Sequence, residues 1–445
     1  MSAETTKTKR IKITPFSKAT RALAEVGHKL HGYQRDGVKW LISREYRDNK
    51  ITGGLLCDEM GLGKTIQFIS LLLSRGVGRT LLVLPASLMI QWREELGKFA
   101  PEIPIFNYHG EHRSLKHMPD RCVVMTTYTL VHNDRKTLGE TIWTRVILDE
   151  CHNIRNPKAK SSKACKSLRA DSKWGITGTP IQNYVSDIVS ALEFVGITRE
   201  EIRSDLPAAI NKYTLRRTKS EVSLDDSIPD KSIKRVILPH ASKKEADFYK
   251  QLENSELFNP LEKTLRLRQA SIAPKMVLDG IGKKTTTPAK RWTHTNTKLD
   301  SVFNKCQRRM ESDDSSRIII FTTFKYEIEY LTGKFAETGF KYSSLHGGVP
   351  KDERNSRIAD AENQVLMVQI VCGGTGLNLQ SYNVIYFTSP PWNPSLEDQA
   401  IARCHRIGQD KPVDIYKMYI KKSIEEHINA VQEVKRTLIA KYITS

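Results

Sequence analysis

Short apolar runs, each closed by glycine or small hydroxyl residues, recur along this chain and alternate with stretches whose apolar residues fall at helical spacing. Gly53-Gly54-Leu55-Leu56-Cys57, Thr80-Leu81-Leu82-Val83-Leu84, Cys122-Val123-Val124-Met125, Val146-Ile147-Leu148 and Trp174-Gly175-Ile176 have the length and continuity of buried strands. Between them, residues 66–73 and 87–99 read as helices, the second carrying Leu88, Trp92, Leu96 and Phe99 in helical register. Upstream, Tyr33, Gly37, Trp40 and Leu41 share a helical face, with Gln34 near its edge. Alternation of this kind predicts an α/β fold built on parallel sheets, with ligand sites at the carboxyl ends of the strands. The pattern lapses between residues 221 and 297, where 244–252 and 261–269 look helical and 281–291 is polar, basic and turn-rich, a linker composition. It resumes with strands at 317–321, 342–345, 365–371 and 383–387. The last helix places Ile424, Ile428, Val431, Val434 and Leu438 along one face, which should pack on a lobe.

The most informative stretch is Asp58-Glu59-Met60-Gly61-Leu62-Gly63-Lys64-Thr65, lying between a strand end and a helix start. A glycine-rich turn there lets the backbone bend around phosphate, and the free N–H groups and helix dipole favour an anion. Gly61 and Gly63 supply the bend, Lys64 can reach the outer phosphates, and the Thr65 hydroxyl can ligate Mg²⁺. The strict phosphate-loop pattern has glycine where Asp58 stands. Asp149 and Glu150 follow an apolar strand, where Asp149 can share the Mg²⁺ with Thr65 and Glu150 can orient and deprotonate the attacking water. The same pair can also be a plain helix N-cap. Gln34, ahead of the loop, is a candidate adenine reader or a surface amide. Downstream, Arg403 and Arg406 stand three apart on a helical pattern, able to meet a γ-phosphate as transition-state charge develops, or to make surface salt bridges. Strand ends at Thr126-Thr127, Thr322-Thr323 and Gly374-Thr375, with Trp392, offer small groups that admit a sugar-phosphate backbone, or simply tight loops.

Composition sharpens this picture. The 445 residues are long for one core, and two large lobes are the simplest division. Lys and Arg number 70 against 50 acids, a net +20, which favours a nucleic acid partner over a merely soluble surface. The basic run from Arg155 to Lys173 could line a phosphate track or form a solvated face. No apolar run approaches the ~18 residues of a spanning helix, so no membrane partner is expected. The basic start lacks a hydrophobic signal region. Seven scattered cysteines without a C-x-x-C pair fit reduced thiols and no zinc site.

In their order, Gln34, DEMGLGKT, DECH and GITGTPIQN resemble the ATPases of helicase superfamily two. LHGYQRDGVKWL, DEMGLGKTIQ, LRRTKSEV and QAIARCHRIGQ resemble, more narrowly, the Swi/Snf-type remodelling motors, in which aspartate normally occupies the position of Asp58. The resemblance implies two tandem RecA-like lobes with parallel sheets joined by a helical connector. Its expected division is a basic tail over 1–25, a first, ATP-binding lobe over 26–220, connector and linker over 221–297, and a second lobe over 298–445. It further implies ATP and Mg²⁺ as cofactors, Lys64 and Glu150 as catalytic residues, and Arg403 and Arg406 as arginine fingers. GGTGLNL resembles the family's nucleic-acid-contacting, lobe-coupling motif. The implied activity is DNA-stimulated ATP hydrolysis with tracking along double-stranded DNA by a monomeric motor, with nucleosomes or other DNA-bound proteins as targets and a nuclear or viral setting. A strand-separating helicase is the nearest alternative. The departures are Cys151 in DECH, and Pro391 and Ala402 in place of the family's usual residues.

Overall fold

The computed structural model describes residues 14–46, 51–182, 184–222, 229–282, 292, 296–360, 362–373, 377–406 and 408–443. The chain divides into two compact units, the first reaching Val222 and the second beginning at Ser223. Each unit is organised around a parallel sheet.

In the first unit the strands are β1 (Gly53–Leu56), β2 (Arg79–Val83), β3 (Ile105–Asn107), β4 (Cys122–Thr126), β5 (Ile142–Asp149), β6 (Arg169–Ile176) and β7 (Thr214–Leu215). They lie in the order β3-β4-β2-β5-β6-β1-β7, every pairing parallel. Leu81, Val124, Val146 and Leu148 are buried, as are Leu82, Val123, Met125 and Ile147 on the alternate positions. Burial on both faces is why these strands read as unbroken apolar runs. Beneath the sheet, Trp174 meets Phe68 and Trp40 edge-on at 5.6 and 5.7 Å, and its indole N–H donates to Glu45. Glu45 is bound by the buried Arg145 through two hydrogen bonds of 2.6 and 2.7 Å. Arg145 enters near the start of β5, so this charged clamp secures the amino end of the sheet and leaves the carboxyl end for the site.

The second unit contains β8 (Lys231–Leu238), β9 (Ile318–Thr322), β10 (Tyr342–Leu345), β11 (Val365–Gln369), β12 (Val384–Phe387) and β13 (Val413–Ile420), in the order β10-β11-β9-β12-β13-β8. Ile319 and Phe321 join one core while Ile318 and Ile320 join the other, so this sheet too is covered on both faces.

Three expectations change. Residues 14–25 are not tail, because Thr14 caps a helix, Pro15–Glu25, that buries Ala19 and Leu23; residues 1–13 lie outside the described residues. Phe16, Ala19 and Leu23 make an apolar stripe that the surrounding lysines and arginines obscured. The connector does not occupy the whole of 221–297: β8 pairs with β13 over eight residues and is the edge strand of the second sheet, so the second unit starts well before residue 298. Its Val236 and Leu238 face the core, but Ile233 and Ile237 are exposed. An edge strand with apolar residues on both sides shows no clean alternation. Helices Lys243–Asn254 and Pro260–Ile272 agree with the helical readings there; residues 283–291 lie outside the described residues. Finally, the last helix, Ile424–Ile443, buries Glu425, Ile428 and Gln432, whereas Val434 is 61% exposed.

Candidate active site and nucleic-acid interface

The phosphate loop leaves β1 and enters the helix Lys64–Arg75 at its amino end. Gly61 and Gly63 both take left-handed backbone angles, φ 88° and 71°, a conformation that favours glycine. A Cβ on Gly63 would also fall 2.5 Å from Nε2 of Gln34. Lys64 opens the helix and turns its ammonium back into the loop, donating to the carbonyls of Asp58 at 2.8 Å and Glu59 at 3.3 Å. Burial pushes the Lys64 ammonium down in pKa, while Glu150, Asp58 and Asp149 oppose that shift. Loop carbonyls thus occupy a cation for which phosphate oxygens are the stronger acceptors. Thr65 is the next helical residue and is half-buried.

Asp58, the residue out of place in the strict pattern, is completely buried. Its Oδ1 accepts from Arg217 Nε at 2.9 Å, and its Oδ2 accepts from Arg217 Nη2 and from Gln67 Nε2. Arg217 also donates to the Tyr33 carbonyl and to Gln67 Oε1. The backbone follows the same route, with Cys57 N donating to Leu215 O and Glu59 N to Arg217 O. The first half of the loop is therefore zipped to the segment after β7, which ordinary loop statistics would not suggest. Gly37 makes room for this: a Cβ there would lie 1.9 Å from Gln67 Oε1.

Gln34 is more deeply placed than the edge of an amphipathic face. It is 3% exposed, alongside Gly37, Val38 and Leu41 of the helix Gly32–Arg44. Its Oε1 accepts from His31 N at 3.0 Å and its Nε2 donates to Leu62 O at 3.3 Å. The amide therefore touches the phosphate loop itself.

Asp149 ends β5, and Glu150 follows in the left-handed region at φ 52°. Asp149 is not exposed to solvent, and its carboxylate accepts from Trp92 Nε1 at 2.7 Å and Glu150 N at 2.9 Å. Burial first, and the adjacent Glu150 charge second, push its pKa up to about 6. A desolvated carboxylate with a second acid beside it is a hard-oxygen site short of positive charge, so a Mg²⁺ fits the residues present. Glu150 Oε2 lies 3.2 Å from His152 Nδ1 and accepts from Thr177 Oγ1 at 3.4 Å. His152 and Thr177 were only parts of strings in the sequence, yet they orient the candidate water-activating group. Cys151 is buried against Gly175, and burial pushes its thiol well up, which suits a small packing residue and not a nucleophile.

A groove of about 540 Å³ opens on the same edge of the sheet, lined by Pro85, His109, Thr127, Tyr128, Thr129 and Asn153 among others. Thr127 caps the helix Tyr128–Asn133. Thr126 is wholly buried with its hydroxyl unpaired, so its side chain presents no surface to a partner. The basic run divides as well. Arg155 donates to Gln182, Lys166 pairs with Glu193, and Lys173 turns back to the Lys166 carbonyl, while Lys158, Lys160 and Lys163 are exposed.

In the second unit, Thr322 is buried and bonds to Val368 O, while Thr323 pairs with Ser389 at 2.8 Å. The carbonyls of Pro390, Pro391 and Trp392 each accept from a side chain: Arg268, Gln432 and Lys435 in turn. Trp392 is thereby held 38% exposed, with the Arg268 guanidinium 5.8 Å from its ring centre. Gly374 and Thr375 lie outside the described residues. Arg403 and Arg406 do not share a helix: it ends at Cys404, leaving Arg406 beyond it. The Gln409 amide donates to Cys404 O at 3.1 Å and to Gln380 O, closing the helix end.

A phosphate loop and paired acids at the carboxyl edge of one parallel sheet are the apparatus of P-loop nucleoside triphosphatases, and the chain falls in that class. Comparison with known proteins narrows it. Residues 33–199 match the SNF2-related domain and residues 298–408 the helicase conserved C-terminal domain. The chain belongs to the SNF2-related ATPases of helicase superfamily two. It is 29% identical to the ATP-dependent DNA helicase DDM1 of Arabidopsis thaliana, covering 90% of this chain and 60% of that protein. It is also 29% identical to a probable global transactivator of Orgyia pseudotsugata multicapsid polyhedrosis virus, covering 92% and 90%. Among solved structures, the Sulfolobus solfataricus SWI2/SNF2 ATPase core in complex with dsDNA aligns over 94% of this chain and 93% of that one, with 27% identity and a TM-score of 0.45. Several relatives are longer, and the chain spans 42% to 60% of their length. No helix among the described residues is long and apolar enough to cross a membrane.

Proposed function

We propose that the chain is a DNA-stimulated ATPase that translocates along double-stranded DNA and so displaces or remodels DNA-bound proteins, nucleosomes among the targets. The observation that carries this reading is the adjacency, within the first unit, of the nucleotide apparatus and an open groove on one sheet edge. The net charge of +20 supports a polyanionic occupant for that groove. In this reading the loop N–H groups and Lys64 take the phosphates, and Gln34 borders the base. Thr65 and Asp149 hold Mg²⁺, which when bound would neutralise charge on the outer phosphates. Glu150 takes the proton of the attacking water, and its carboxylate is already aimed by His152 and Thr177. Arg403 and Arg406 supply the positive charge that the transition state needs. Thr127, Thr323, Gly374, Thr375 and Trp392 contribute contacts to the DNA backbone. Thr126 and Thr322 support the strand ends from inside. The working location is the nucleus, or wherever viral DNA is handled.

The relatives' helicase names favour a second reading, strand separation. ATPase rates with duplex DNA, single-stranded DNA and RNA, run beside an unwinding assay, separate the two. Stimulation greatest with duplex DNA and no unwinding is expected; preference for RNA with efficient unwinding rejects the translocase.

A further inference from the structure

We infer that Tyr128 and Asn153 couple the groove to the catalytic acids, so that nucleic acid in the groove resets Glu150; this rests on the function proposed above. Both residues line the groove. The Tyr128 hydroxyl donates to the main-chain carbonyl of Asp149 at 2.7 Å, and the Asn153 amide donates to that of Glu150 at 2.8 Å. Two residues of one groove therefore grip the two consecutive peptides that carry the site's carboxylates.

The peptide they grip is a strained one. Glu150 holds φ 52° and ψ 52°, a region that costs a glutamate free energy and persists only where neighbours impose it. The constraints are identifiable. Glu150 N donates to Asp149 Oδ1 at 2.9 Å, and Glu150 O accepts from Asn153 twice, through its N–H at 3.0 Å and its side-chain amide. In this state the Glu150 carboxylate is engaged with His152 and Thr177. Asn153 is exposed, so its amide is within reach of an arriving partner. A phosphate oxygen carries more charge than a peptide carbonyl and is the stronger acceptor. Backbone phosphate in the groove draws the Asn153 amide from Glu150 O and removes one constraint on the strained peptide. Tyr128 holds the Asp149 carbonyl in place, so the change falls on Glu150 and not on the metal-binding neighbour. Nucleic acid binds the two states of the Asn153 amide unequally, which is the condition for it to shift the equilibrium between them.

The test uses the full chain, a blunt synthetic duplex as probe, and the ratio of ATPase rates at saturating duplex and without it. Asn153→Ala and Tyr128→Phe each remove one donor. Each should lower that ratio by roughly three- to tenfold, the worth of one hydrogen bond. A merely structural role would depress both rates together and leave the ratio intact. Thr129→Ala lines the same groove without bonding to either acid; it should weaken duplex affinity and preserve the ratio at saturation. Unchanged ratios in both donor variants, with a stimulated wild type, overturn the coupling and leave the proposed function standing. A wild type that no nucleic acid stimulates removes both.

Discussion

Asp149 gives the site a cost that can be measured without substrate. Its pKa rises from 3.8 to about 6 on folding, chiefly through burial. At 1.36 kcal/mol per unit this amounts to about 3 kcal/mol. The sign follows from proton counts: below 3.8 both folded and unfolded states hold the proton, and the term vanishes. Between 3.8 and about 6 the folded state alone keeps it, so stability falls as pH rises. Above about 6 the full penalty applies. Asp149→Asn removes the charge but leaves one oxygen to serve both Trp92 Nε1 and Glu150 N, a loss of about 1 kcal/mol. The variant should therefore be about 2 kcal/mol more stable than wild type at pH 7.5 and about 1 kcal/mol less stable near pH 3. Thermal melts followed by tryptophan fluorescence across this range suit the question, since Trp40, Trp92, Trp143 and Trp174 all lie in the first unit. A stability difference that stays constant with pH, or that favours wild type at pH 7.5, would refute the argument.

Three further outcomes follow from the geometry. Glu150→Gln should still bind ATP but lose ~10²-fold or more in turnover, as shown by nucleotide binding beside steady-state hydrolysis. Arg217→Lys keeps a charge but not the fork that meets both oxygens of Asp58, and the KM for ATP should rise roughly tenfold, as for a lost charge-assisted bond. Lys298 and Glu425 form an ion pair at 0% and 1% side-chain exposure in the second unit. Lys298→Met strands the carboxylate at a cost of about 3–5 kcal/mol, and adding Glu425→Gln should restore most of the melting temperature.

Legibility in the sequence followed the environment of each residue. Strands buried on both faces, such as Ile318–Thr322, announced themselves as unbroken apolar runs. β8, at an edge, and Val413–Ile420, with Asp414, Tyr416 and Lys417 interleaved, did not. Lys64, Asp149 and Glu150 stood out as candidates because a glycine-rich turn before a helix and an acidic pair after an apolar strand are local patterns. Their supports were not: Arg217 reaches Asp58 from 159 residues away, Trp92 reaches Asp149 from the helix Met89–Phe99, and Thr177 reaches Glu150 from the end of β6. Only the fold brings such partners together. Arg403 and Arg406 show the converse, since helical spacing placed them on one helix and the cap by Gln409 separates them.

In the proposed function Arg403 and Arg406 act as arginine fingers on the bound triphosphate. Single-turnover hydrolysis by Arg406→Ala at saturating ATP, with nucleotide affinity measured alongside, tests it most directly. A rate reduced ~10³-fold or more with affinity nearly unchanged is the expected result, as for a missing arginine finger. A variant that hydrolyses bound ATP at the wild-type rate would contradict it.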